Sequence, residues 1–216
     1  MERPIIFSSE MVRAILEDKK TQTRRVIKPQ PTGNDLDILT RSYGGAVDIY
    51  NLYRGLTAGD MGYEQTTIKC PYGQPDDRLW VRETWDVFAL PNEVPSICYR
   101  ADSTAIPILG KLVINTNEKI ILHKWRPSIH MPRWASRITL EIVNIRVERV
   151  QDISEEDAMA EGAPLGRVLG YGRLGMQSYR EGFIDLWNSI NLERGFGWDS
   201  NCWVWVIEFK RIENEN

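Results

Sequence analysis

Asp18-Lys19-Lys20-Thr21-Gln22-Thr23-Arg24-Arg25 is the stretch on which the reading of this chain turns. It sets four cations and two hydroxyls in eight residues, directly before an apolar Val26-Ile27. On its N-terminal side, Pro4-Ile5-Ile6-Phe7 reads as a short strand and Ser8 or Ser9 as a helix cap. Met11, Ile15 and Leu16 then fall on one helical face. After Asp18 the helical period stops and the alternation Thr21, Thr23, Arg25 begins, so the chain opens strand, helix, strand. Like charges this close repel unless something compensates them. Either an anionic or strongly polar partner docks on the run, or the run is a solvated strand edge that discourages pairing with another chain.

Composition narrows the classes. With 216 residues, 42% hydrophobic and 26% charged, the chain can bury a real core and reads as one elaborated globular domain. A net charge of −3 argues against broad coating of nucleic acid, which depends on neutralising many phosphates, so any such contact must be local. Cys70, Cys98 and Cys202 are odd in number and widely spaced, which suggests neither a disulfide framework nor a zinc site and fits a reduced, cytoplasmic protein. With only His123 and His130 available, no metal site is expected, and no organic cofactor is implied. Met1-Glu2-Arg3-Pro4 lacks the pattern of a signal peptide. No run approaches the roughly 18 apolar residues of a membrane span, so no membrane partner is expected. Oligomeric state is open.

From Pro29 to about Lys69, glycines and prolines interrupt every period, which reads as an insertion of loops and short strands at about 30–68. It either covers one side of the fold or forms a specificity loop. After the turn formers at 70–77, Arg78 to Trp85 reads as a strand with Leu79, Val81 and Glu83 on one face and Trp80, Arg82 and Thr84 on the other. An aromatic ring beside a guanidinium and a carboxylate suits stacking on a base and equally suits a half-buried sheet. Ser96 to Arg100 and Lys111 to Ile114 read as short strands. Between Glu118 and Glu141 there is no acid, while Lys119, Lys124, Arg126, Arg133 and Arg137 are interleaved with Trp125, His130 and Trp134. Cations mixed with aromatics are what a single-stranded nucleic acid needs.

Ser136 to Val150 is the longest strand signal, and its apolar phase changes near Val143-Asn144, as in a sheet that curls. Ser154-Glu155-Glu156-Asp157 starts a helix that ends at Gly162 and carries Glu161. The loop from Gly166 to Gly175, with Gly170-Tyr171-Gly172, is no nucleotide fingerprint, because no strand precedes it. Phe183, Leu186, Trp187 and Ile190 mark an amphipathic helix, and Trp203 to Phe209 a buried closing strand with Trp203, Trp205, Ile207 and Phe209 facing one way.

The basic stretch resembles the signature of the ASCH family, small domains related to the PUA fold, in which a Lys, a Thr and an Arg follow the first helix. Lys20, Thr23 and Arg24 match, while Asp18 replaces the usual small residue at the turn. Leu79 to Trp85, Trp125 to Arg137, Glu156 to Gly162 and Trp203 to Phe209 look like the longer ASCH proteins common in phages and prophages, which covers most of the chain outside 30–68. The resemblance implies an α+β fold, a single PUA-like (ASCH) β-barrel domain over 1–216 with flanking short helices. It also implies a cleft for a modified nucleoside or RNA. Small bacterial members remove the acetyl group from N4-acetylcytidine with a Lys, a Thr and a Glu, which carry over onto Lys20, Thr23 and Glu161. Other members are described as RNA-binding, and some as ribonucleases.

The implied chemistry is sound in itself. Thr23 can attack an amide carbonyl if a base takes its proton, and a lysine can be that base when burial or neighbouring cations lower its pKa. Glu161 can orient the lysine or carry a proton to the leaving amine. Residues 20 and 23 face opposite ways in a regular strand, so Lys20 must precede the strand or the strand must bulge. The expected binding set is Arg24, Arg25, Trp80, Arg82, Glu83, Arg126, Ser128, His130, Arg133 and Arg137. Against catalysis stands a simpler arrangement, in which Lys20 and Glu161 join helix to barrel as an ion pair and Thr23 is an ordinary strand residue.

Overall fold

The computed structural model describes residues 1–31, 69–88, 95–107, 124–167 and 177–213, together with the backbone of three strands at 39–43, 46–54 and 61–68. The strand expected at Lys111 to Ile114, Lys119, His123 and the loop Gly170-Tyr171-Gly172 lie outside the described residues. The chain divides into two units. The first holds Met1, Lys19–Arg78 and Glu141–Lys210; the second holds Glu2–Asp18, Leu79–Leu140 and Arg211–Asn216.

The opening follows its local chemistry. Strand β1 (Glu2–Ile6) leads into helix α1 (Ser9–Leu16), and the Ser8 side chain accepts a hydrogen bond from Met11 N at 3.3 Å, satisfying one free N–H of the first turn. The buried residues of α1 are Val12 and Ile15, while Met11 and Leu16 are only half-buried, so the inward stripe keeps the expected Ile15 and is centred on it and Val12. Asp18 turns the chain at φ +54° into β2 (Gln22–Val26).

The insertion carries its own antiparallel sheet, β3 (Leu39–Tyr43), β4 (Ala46–Arg54) and β5 (Met61–Ile68). The strand expected from Arg78 to Trp85 is two strands. β6 (Arg78–Arg82) ends where Glu83 N donates to the sulfur of Met131 at 3.4 Å, and a backbone donor spent on a side chain cannot extend a ladder. The chain resumes as β7 (Trp85–Phe88), which pairs antiparallel with β8 (Ser96–Tyr99), itself paired with β9 (Ala105–Pro107). Trp85, Val87, Ile97, Tyr99, Met131 and Ala135 form the core of this part of the second unit. Pro127 and Pro132 each precede a short 3-10 turn, Ser128–His130 and Arg133–Ala135, as expected of a proline-stiffened loop.

β10 (Thr139–Arg149) changes phase where expected: Ile142 is buried, Val143 and Asn144 are both exposed, and Ile145 is buried again. Helix α2 (Glu155–Ala160) is capped by Ser154, whose side chain accepts from Asp157 N at 3.0 Å, and Glu155, Glu156 and Asp157 place negative charge on the positive end of its dipole. It ends at Gly162, φ +71°, with Gly162 N bonded to Met159 O and Ala163 N to Ala158 O. That pair of bonds needs a left-handed residue, which glycine supplies without strain, and it fixes Glu161 as the residue that caps the helix C-terminus.

β11 (Gly166–Arg167) and β12 (Gln177–Ser178) pair before helix α3 (Tyr179–Asn191). β13 (Trp203–Ile212) pairs antiparallel with β2, with Val206 opposite Arg24 and Ile207 opposite Thr23. Alternation therefore sets Gln22, Arg24, Val204 and Val206 on one face and Thr23, Arg25, Trp205 and Ile207 on the other. Val204 and Val206 pack with Ala158, Phe183 and Trp187, so the Arg24 face is the one covered by α2 and α3.

The architecture is mixed α+β. β13 pairs with β2 in the first unit, and the smaller sheets are β3-β4-β5, β7-β8-β9 and β11-β12. Among the described residues no closed barrel is seen, and the Trp85 segment pairs with β8.

Candidate functional site

Lys20 stands in the link between α1 and β2, before the strand begins, which is the placement its spacing to Thr23 requires. Two backbone bonds hold that link: Thr21 N donates to Ala160 O at 2.8 Å, and Phe209 N to Thr21 O at 2.8 Å. The Lys20 ammonium has a side-chain exposure of 0% and donates to Glu161 Oε2 at 2.9 Å and to the Glu161 carbonyl at 2.7 Å. Burial lowers its pKa, and although Glu161 pulls it back up, Arg25 and Arg24 push it further down. Sequence positions 141 apart thus meet in one buried pair.

Thr23 is buried too, on the opposite strand face from Arg24. Among the described residues its hydroxyl makes no hydrogen bond to Lys20 or Glu161. Arg25 shares that face; burial lowers its pKa, Tyr72 and Glu161 oppose the shift, and Arg194 adds to it.

Arg24 is fully enclosed. Its Nη2 reaches Asp157 Oδ2 at 2.7 Å and Glu148 Oε2 at 2.9 Å, its Nη1 reaches Glu161 Oε1 at 3.4 Å, and its guanidinium carbon lies 5.9 Å from the centre of the Phe183 ring. Arg146 closes the network, holding both oxygens of Asp157 at 3.1 and 2.9 Å and pairing with Glu148 and Glu208. Burial alone would raise the Asp157 pKa, but the hydrogen bonds and charges of Arg24 and Arg146 outweigh it and hold the carboxyl below its usual value. Gln22 Nε2 adds a bond to Asp157 O at 3.0 Å. These contacts fasten α2, and with it Glu161, to β2 and β10.

The second unit holds its own polar cluster. Arg137 forks onto Glu83 with two bonds of 3.0 Å and onto Asp102 with bonds of 2.8 and 3.0 Å, while its plane lies 4.0 Å over the Tyr99 ring. The one guanidinium leaves its two carboxylates with opposite shifts. Burial of Glu83 raises its pKa despite Arg137, whereas at the more exposed Asp102 the burial effect is overridden by Arg137 and Thr104, and the carboxyl sits at about 2. Burial also pushes the Tyr99 phenol up to about 12, and its hydroxyl donates to Ala135 O at 2.9 Å.

The remaining expected binding residues lie in this unit as well. Arg82 stacks 4.6 Å over the buried Trp80. Arg133 pairs with Glu2 at 2.9 Å. Arg126, with a side chain 50% exposed, lies 5.0 Å over Trp85 and 3.8 Å from Asp86. His130 is exposed and Ser128 half-buried. Trp134 is 51% exposed and meets the edge of Trp85 at 6.0 Å.

Arg146, Glu148, Asp157 and Glu208 were not expected at the site, nor were Tyr99 and Asp102. A signal did exist for the first group: Asp157 and Glu161 are four residues apart on one helix, and Arg146 and Glu148 alternate on one strand face. Asp102 lies in a turn, and nothing in its spacing joins it to Arg137. Among the described residues no group of His, Cys, Asp and Glu is arranged to hold a metal ion, and no helix is long and apolar enough to cross a membrane. Neither a protein-family model, a curated protein nor a solved structure matches this chain.

Proposed function

We propose that this chain is an ASCH-type, PUA-like protein of the cytoplasm that recognises a modified nucleoside or RNA, and that it hydrolyses an N-acylated cytosine-type amide through Lys20, Thr23 and Glu161. The buried Lys20–Glu161 pair carries the reading, because it joins two of the three residues implied by the resemblance at 2.9 Å. A lysine whose pKa is depressed by burial is suited to act as a base. In the proposed reaction Lys20 takes the Thr23 proton and Thr23 Oγ1 bonds to the acyl carbon. The C–N bond then breaks as the cytosine amine leaves with a proton relayed through Lys20 and Glu161. Water cleaves the acyl-threonine to a free acid and regenerates the hydroxyl. The step requires Thr23 Oγ1 to come within roughly 3 Å of Nζ in the substrate complex, where such contacts tighten.

A non-catalytic RNA-binding role is the second reading, and it has its own support. Trp125 at 40% and Trp134 at 51% exposure, with the half-exposed Arg126, offer ring faces and charge to a single strand. The two readings separate in one set of assays. Chromatography of N4-acetylcytidine incubated with wild type and with Lys20→Ala, Thr23→Ala and Glu161→Ala gives cytidine only from the wild type if the hydrolase reading holds. Absence of turnover beside a steep loss of RNA affinity with salt leaves the binding reading.

A further inference from the structure

Arg24 matches the family-like signature as a cation available to a ligand, yet its side chain is 0% exposed and its two Nη groups end on three carboxylates, with Nε buried and unbonded among the described residues. The division of those donors is specific. Glu161 presents Oε1 to Arg24 Nη1 at 3.4 Å and Oε2 to Lys20 Nζ at 2.9 Å, so each carboxylate oxygen faces a different cation. Arg24 Nη2 is anchored at the same time on Asp157, four residues earlier in α2, and on Glu148 of β10. A planar guanidinium fixed at two points on one side can hold a third group in a set orientation, whereas a single ammonium cannot reach all three.

We propose that Arg24 is a positioning residue for the Lys20–Glu161 couple and not a ligand contact. It holds Glu161 Oε1 so that Oε2 alone is turned to Lys20, and it ties that orientation to the strand bearing Thr23. The proposal rests on the hydrolase reading above for its catalytic meaning, while the geometric hold on Glu161 is testable without it. Lysine at position 24 keeps the charge and loses the fork. Glu161 is then free to swing about its side-chain bonds, and displacements of about 1 Å in a catalytic group cost on the order of a hundredfold in rate.

The test compares Arg24→Lys with Arg146→Gln. Arg146 joins the same network through Asp157, Glu148 and Glu208 but makes no bond to Glu161, so it reports what loosening the network does by itself. At a temperature where both variants are folded, Arg24→Lys is expected to lower kcat for N4-acetylcytidine by about 10- to 100-fold with KM within about twofold. Arg146→Gln is expected to lower Tm and to lower kcat by several-fold less than Arg24→Lys does. Equal kcat in Arg24→Lys and wild type overturns the proposal, as does an equal fall in both variants. If Arg24→Lys does not fold, Glu148→Ala removes one Nη2 anchor at a partly exposed position, and a severalfold loss of kcat at constant KM is expected in its place.

A second readout needs no turnover. The buried Lys20 ammonium should give a slowly exchanging proton resonance by NMR, assigned by its loss in Lys20→Met. Arg24→Lys should shift it and speed its exchange, and Arg146→Gln should do so markedly less. An unchanged Lys20 resonance in Arg24→Lys overturns the hold on Glu161. A shifted resonance in a protein with no wild-type turnover sinks the hydrolase reading alone.

Discussion

Glu161→Ala should be among the costliest single substitutions in the first unit, and the reason can be worked through. It deletes the carboxylate 2.9 Å from an ammonium of 0% exposure, leaving that charge enclosed with the residue-161 carbonyl as acceptor. At an effective dielectric of 20, Coulomb attraction at this separation is on the order of 6 kcal/mol. Removing one partner of a buried pair costs about 3–5 kcal/mol in measured cases. Lys20→Met should cost less, about 2 kcal/mol, because Glu161 retains Arg24 at 3.4 Å. The double variant Lys20→Met/Glu161→Leu removes both charges and should recover most of the loss, since paired apolar replacements are often neutral. Urea unfolding at neutral pH measures all four proteins, and for a chain of this length Glu161→Ala should lower Tm by roughly 6–20 °C. The pair also has a pH signature. Burial lowers the Lys20 pKa, so the unfolded chain binds more protons, and stability relative to Lys20→Met should rise with pH from that lowered value to about 10.4. A cost below about 1 kcal/mol for Glu161→Ala, or strict additivity in the double variant, would refute the reasoning.

In the second unit, Arg137→Gln removes the fork from a Glu83 side chain only 2% exposed and should destabilise by about 3–5 kcal/mol in denaturant titration. Because Arg137 and Thr104 outweigh burial and depress Asp102 to about 2, wild type should also lose stability as pH falls from about 4 to about 2, a loss that is smaller in Arg137→Gln, where only Thr104 remains; parallel acid titrations of the two would contradict this. Gly182→Ala places a Cβ 1.7 Å from Pro164 O, a backbone atom that cannot step aside, so it should cost about 3 kcal/mol or more, and a neutral result would mean that α3 does not pack so closely there. Under the RNA-binding reading, Trp134→Ala should weaken a single-stranded oligonucleotide at least about fivefold with no change in the salt slope, whereas Arg126→Ala should reduce that slope by about 1.

Local chemistry made the elements legible. Ser8, Ser154 and Gly162 mark helix ends because a hydroxyl at an N-terminus and a left-handed glycine at a C-terminus each satisfy free backbone groups, and both signals are written in neighbouring residues. The phase change at Val143-Asn144 was legible for the same reason: alternation is a local property. The break at Glu83 was not, because it depends on a backbone N–H finding Met131, which lies 48 positions away. Nor was the enclosure of Arg24. A run of cations reads as a surface available to an anion, and only the fold reveals that Asp157, Glu148 and Glu161 already meet its charge. The expected barrel came from the family likeness together with the curl implied in β10, and curvature in one strand does not determine how a sheet's edges are used.

The central claim, that Lys20, Thr23 and Glu161 act together on an N-acyl cytosine amide, is tested most directly by a single-turnover reaction of N4-acetylcytidine with the protein in molar excess, quenched over time and resolved by chromatography. The account predicts cytidine and acetate in equal amounts from wild type and no release from folded Thr23→Ala. Intact N4-acetylcytidine after prolonged incubation with excess wild type, or equal release by Thr23→Ala, would contradict it.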